Sequence, residues 1–132
     1  MKKIIIIIFM AYYSVVNAQL QPLAEKTIVE QTGRMLLLCR DLHQNPELSL
    51  QEFETAKKMA AELRKAGFEV TENFGGNNVV GMLKNGAGPV VMLRTDMDAL
   101  PVEEKTNLVF ASSKKVKSED GSEVSVWHAC GH

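Results

Sequence analysis

Two stretches concentrate the side chains able to do chemistry. One is Trp127-His128-Ala129-Cys130-Gly131-His132, which places a thiol and two imidazoles close together. A single glycine separates Cys130 from His132, and its freedom at positive φ lets both side chains converge on one point. A thiolate and a neutral imidazole suit Zn²⁺, at about 2.3 and 2.0 Å. The pair also tolerates Mn²⁺, Co²⁺ or Ni²⁺, less comfortably for the sulfur. Two donors do not complete a site, because zinc takes three or four protein ligands. His128 is either a third ligand or a satisfied histidine packed beside Trp127, and the residues alone leave both open.

The other stretch is Arg94-Thr95-Asp96-Met97-Asp98-Ala99-Leu100-Pro101, which follows the apolar run Val90-Val91-Met92-Leu93. If that run is a strand, Asp96 and Asp98 lie past its carboxyl end, where open α/β sheets bind their ligands. Alternate residues of an extended chain share a side, so both carboxylates can face one crevice. One would then ligate a metal, and the other would fix the tautomer of an imidazole ligand. The competing reading is a turn, where aspartates serve local hydrogen bonds.

The remaining polar residues read as structural. His43 falls near a helix C-terminus, where a partly charged imidazole is favourable. Arg94 is an ion-pair partner for the aspartates, Trp127 a core residue, and Glu103-Glu104-Lys105 a solvated turn. Gly75-Gly76 lacks the strand, glycine spacing and helix of a dinucleotide-binding loop. No nucleophile elbow occurs.

The elements that must position these groups follow from periodicity. From Leu23 to about His43, Ile28, Met35, Leu38, Cys39 and Leu42 recur as one buried helical face, with Cys39 a small apolar core residue. Asn45-Pro46 ends that helix. Ser49-Leu50-Gln51-Glu52 has the form of a capping box for a second helix that buries Phe53, Ala56, Met59, Ala60 and Leu63. Gly67 fits the left-handed position past its end. Strands are expected at Phe68 to Thr71 and Asn77 to Leu83. Val90 to Leu93 should be a strand buried on both faces. Val109 to Ala111 and Val124 to Val126 read as a hairpin with a polar tip from Lys114 to Glu123. Helix, helix, then strands is an α/β or α+β beginning.

Residues 1–18 read as a cleavable secretory signal. Lys2 and Lys3 precede the apolar stretch Ile4 to Val16, and Val16-Asn17-Ala18 has small residues where a signal peptidase reads. The expectation is export to the periplasm or the medium, with residues 19–132 as the catalytic-domain portion and no membrane anchor afterwards. Losing the two leader lysines takes the net charge from −1 to −3. Basic residues are scattered among acidic ones, so nucleic acid is not an expected partner. Cys39 and Cys130 are the only cysteines, and nothing local favours pairing them.

Arg40-Asp41-Leu42-His43-Gln44-Asn45-Pro46-Glu47-Leu48-Ser49, with Glu52 and Thr55, resembles the opening of a metal-dependent amidohydrolase family. Leu93 to Pro101 and His128 to His132 resemble two further signatures of that family, in the same order and spacing. Its members include hippurate hydrolases, N-acyl-amino-acid amidohydrolases and indoleacetyl-amino-acid hydrolases, a branch of the peptidase M-twenty superfamily.

The resemblance implies an α/β catalytic domain of two helices and a mixed sheet, with a lid domain inserted later. It implies two divalent cations, Zn²⁺ or Mn²⁺ with Co²⁺ or Ni²⁺ tolerated, and a water that attacks an amide carbonyl. Cys130 and His132 match metal ligands, Asp98 matches the catalytic orienting aspartate, and His128 matches a histidine outside the ligand set. The expected partner is a small N-acyl or N-aroyl amino acid, and a homodimer is compatible with a full-length member. The family's glutamate pair, later histidines and lid have no counterpart here. The chain therefore reads as an N-terminal fragment, inactive by itself. Two alternatives stand beside this: a truncated non-enzymatic remnant or weak metal-binding module, and a dipeptidase or carboxypeptidase of the same superfamily. Cys130 argues against the latter, since those branches generally carry a carboxylate there.

Overall fold

The computed structural model describes residues 2–130, with side chains from residue 21 onward. Two compact units are present, Met1–Cys39 and Arg40–His132. Helix α1 spans Lys2–Gln44 and contains Pro22, so it begins well before the expected start at Leu23. Pro22 gives up one i→i−4 hydrogen bond without ending the helix. The buried face expected on α1 is not found in the first unit. Ile28, Val29, Leu36 and Leu37 are exposed, as are Met35 and Cys39. The reason is physical: among the described residues this unit holds one helix and no second element, so within the unit an apolar stripe has nothing to pack against.

The second unit begins with the last turn of α1. Asn45 closes it, donating its backbone N–H to Asp41 O at 3.1 Å and its side-chain amide to the same oxygen at 2.9 Å. Pro46, Glu47 and Leu48 are then buried in succession. Helix α2, Phe53–Lys65, follows. The expected capping box does not form. Leu50 takes φ 66°, a left-handed turn that cannot start a helix, so Ser49 is not the N-cap. Glu47 substitutes for it. Its carboxylate accepts the N–H groups of Glu54 at 3.2 Å and Thr55 at 2.7 Å. Such an anion also complements the positive end of the helix.

α2 buries Thr55, Ala56 and Ala60. Phe53, expected inside, is 57% exposed. Gly67 takes φ 87° as expected, and Phe68 N–H returns to Leu63 O at 3.1 Å while Gly67 N–H bonds Arg64 O at 3.0 Å. This is the Schellman pattern. The chain then forms β1, Glu69–Thr71, and β2, Val80–Met82, paired antiparallel with Val70 opposite Gly81.

Val90 to Leu93 departs most from expectation. It forms no strand, and Leu93 is 96% exposed. A strand buried on both faces needs neighbours on both sides. Among the described residues nothing pairs with this run. The two regular sheets are both two-stranded and antiparallel, β1 with β2 and β3, Lys115–Lys117, with β4, Glu123–Ser125. Mixed pairing survives as two isolated bridges, Leu48 parallel to Ala99 and Leu100 antiparallel to Trp127.

The expected hairpin is present with its first strand displaced, because Val109 and Phe110 lie in a turn. Its tip explains the register. Asp120 accepts from the hydroxyls of Ser118 at 2.5 Å and Ser122 at 2.6 Å, and from Ser122 N–H at 2.9 Å. Those hydroxyls, with that N–H, hold the Asp120 carboxyl down at about 2. The small core of this region is Leu48, Ala99 and Val126, with Val116 and Val124 packed against it.

Candidate metal centre

The two chemistry-bearing stretches are brought together by the Leu100–Trp127 bridge, and a neighbouring bond ties the first of them to Glu47. Ala99 N–H donates to Glu47 O at 2.7 Å. Leu100 N–H donates to Trp127 O at 3.0 Å, and Trp127 N–H returns to Leu100 O at 3.1 Å. Asp98 immediately precedes these rungs and His128 immediately follows them. In an antiparallel pair both therefore lie on the same side of the rung, in the direction that leads to Cys130. The contact is electrostatic as well as geometric. Burial, reinforced by the nearby His43 ring, pushes the His128 imidazole below its ordinary value, while the Asp98 charge and a hydrogen bond to its backbone pull the other way. His128 is thus biased toward the neutral ring that a metal or a hydrogen-bond acceptor requires.

The two aspartates take separate roles. Asp96 is paired with Arg94 Nη2 at 2.5 Å, as expected for Arg94. Asp98 lines a cleft of about 390 Å³ with Leu48, Ser49, Gln51, Leu100 and the hairpin tip. Only Asp98 reaches this cleft, so the one-crevice arrangement expected for both carboxylates is not found. The tip residues Ser118, Glu119 and Asp120 share the cleft, which places the polar segment from Ser112 to Glu123 beside Asp98.

Cys130 is exposed with a free thiol, and His132 lies outside the described residues. The donor set fits a divalent cation in kind: a thiol, a carboxylate and a histidine whose buried Nε2 has no hydrogen-bond partner among the described residues. It does not fit in number, since no three His, Cys, Asp or Glu residues gather as a ligand group among the described residues.

Glu104, expected in a solvated turn, has a fully enclosed side chain that binds His43 Nε2 at 3.0 Å. Ser112 N–H donates to it at 2.6 Å, and the Thr106 hydroxyl donates to its other oxygen. Burial alone would raise the Glu104 carboxyl, but hydrogen bonds from Thr106, His43 and Ser112 outweigh it and hold the group below its usual range. His43 is structural, as expected, and packs edge-on against Phe110 with centroids 5.5 Å apart.

No family model matches the chain. Over 106 residues it is 42% identical to the hippurate hydrolase of Campylobacter jejuni, a match covering 80% of this chain and 25% of that protein. It is 50% identical over 95 residues to thermostable carboxypeptidase 2 of Saccharolobus solfataricus, covering 70% and 22% respectively. The solved structure of the Bacillus subtilis YXEP protein, described as a dinuclear metal binding peptidase from the M20 family, matches with a TM-score of 0.62 and 38% identity. That match covers 76% of this chain and 26% of YXEP. The chain spans about a quarter of the length of these curated relatives.

Proposed function

Because the chain belongs to the M20 family of metal-dependent hydrolases, we propose that it is the portion of an amidohydrolase carrying part of the metal site. The reaction is cleavage of the amide bond of an N-acyl or N-aroyl amino acid. The observation that carries this reading is the double rung between Leu100 and Trp127, which sets Asp98 beside the segment leading to Cys130. The similarity to a hippurate hydrolase supports the substrate class.

Cys130 and His132 would hold a cation, and Asp98 would orient a ligand or the water at the cleft floor. Two bound cations would supply Lewis acidity to the carbonyl and acidify the attacking water.

The higher identity to a named carboxypeptidase favours a second reading, release of a C-terminal amino acid from a peptide. The bond broken is an amide in both cases, and the leaving group is an amino acid with a free carboxylate. Hydrolysis of hippurate, N-acetylcysteine and N-blocked dipeptides by a full-length enzyme that carries this chain, with Zn²⁺, Mn²⁺ or Co²⁺, tests both. The first reading expects chelator-sensitive turnover of hippurate that Asp98→Asn lowers about 10–100-fold. Preference for the dipeptides would select the second, and no metal-dependent turnover of any of them would sink both.

Export also belongs to this reading. Residues 2–18 carry the charge and apolar pattern of a leader, and among the described residues no helix is long and apolar enough to cross a membrane. N-terminal sequencing of the protein recovered from its producing cell should begin at Gln19; an intact Met1 would contradict it.

A further inference from the structure

We propose that Glu104, acting with His43, is a positioning residue that fixes the segment carrying His128 and Cys130. The link is continuous. Glu104 is fully enclosed and holds His43 Nε2 between both its oxygens, each at 3.0 Å. The same carboxylate accepts the Ser112 N–H at 2.6 Å. Ser112 passes the constraint on, because its hydroxyl donates to the Val126 carbonyl at 2.7 Å and accepts the Lys114 N–H at 3.3 Å. Val126 is 1% exposed and its own N–H bonds Lys114 O at 3.1 Å. The next residue, Trp127, makes the two rungs to Leu100, and His128 to Cys130 follow directly.

A buried carboxylate is costly to leave short of donors, so Glu104 holds its partners where an exposed turn would not. The other end is anchored too. His43 sits on the last turn of α1, its ring against Phe110, and the Arg40 guanidinium lies 5.2 Å from the centre of the Phe110 ring. Helix end, His43–Glu104 hydrogen bond, serine bridge and rung form one path from α1 to the candidate ligand segment. Its consequence for metal binding rests on the reading of Cys130 as a ligand; the structural link does not.

Amide hydrogen exchange on the whole chain tests the link without a metal. Glu104→Gln and Ser112→Ala should each raise exchange at Val126, Trp127 and Leu100 by about tenfold relative to the amides of α2. Because both variants cut one path, the double variant should exceed the larger single effect very little. His43→Gln, which keeps a donor, should retain most of the protection that His43→Ala loses. Unchanged exchange, a proportional rise in α2, or additive single effects would overturn the inference. If Glu104→Gln unfolds, Ser112→Ala decides, since it leaves the buried pair in place. In a parallel Co²⁺ titration, Glu104→Gln should weaken binding about 10–100-fold. Failure of the unsubstituted protein to bind Co²⁺ would count against the ligand reading, and the exchange data would still decide the link.

Discussion

At Glu47, two carboxylate oxygens accept the Glu54 and Thr55 amides, orphan donors at the start of α2. Glu47→Ala should therefore destabilise the chain by about 1–2 kcal/mol in urea denaturation, while Ser49→Ala should change little. The opposite ranking would restore the capping box that the sequence pattern suggests. Glu104 carries a pH prediction. Its folded carboxyl lies below its ordinary value of 4.5. A depressed acid contributes stability fully present above the unfolded value and lost as pH falls through the lower folded one. Denaturation midpoints measured downward from pH 6 should show this acid loss, and Glu104→Gln should flatten it. Residue chemistry was legible where it was local. A thiol and an imidazole across one glycine announce themselves, as does a pair of aspartates past an apolar run. Glu104 was not, because its partner His43 lies 61 residues away and nothing distinguishes it from Glu103 beside it.

The elements divide along the same line. α2, its glycine stop and the end of α1 at Asn45-Pro46 are set by neighbouring residues, and all three were readable. The hairpin was readable in its second strand. Its first strand was misplaced because the turn is closed by Asp120 with its serines, a local device that apolar alternation ignores. Packing between elements was not readable either. A Cβ on Gly81 would lie 3.1 Å from Leu63 Cδ1 and 3.2 Å from Phe68 Cδ1, so this glycine is where β2 meets α2. Gly81→Ala should cost about 1 kcal/mol by overpacking, as read from the urea midpoint, and Gly81→Val more. A neutral Gly81→Val would mean that α2 and the β1–β2 pair do not pack as described.

At the scale of the whole molecule, long-range pairing decides what remains open. Among the described residues, the mixed sheet expected from the resemblance is present only as the bridges at Leu48–Ala99 and Leu100–Trp127, and Val90 to Leu93 stands in solvent. Four apolar residues in a row implied burial on both faces, which needs neighbouring strands that the pattern of one run does not specify. Because Val91 is 80% exposed, Val91→Glu should leave the stability of this chain within about 0.5 kcal/mol and raise its solubility. A large loss of stability would show that the run is buried in solution. Whether the segment beside Asp98 binds a cation through sulfur decides between a hydrolase metal site and a remnant without one. Titration with Co²⁺, followed by the thiolate-to-cobalt charge-transfer absorption, measures that directly. The band should appear in the unsubstituted protein, persist in Cys39→Ser and vanish in Cys130→Ser. Its absence, or its survival in Cys130→Ser, would contradict the account.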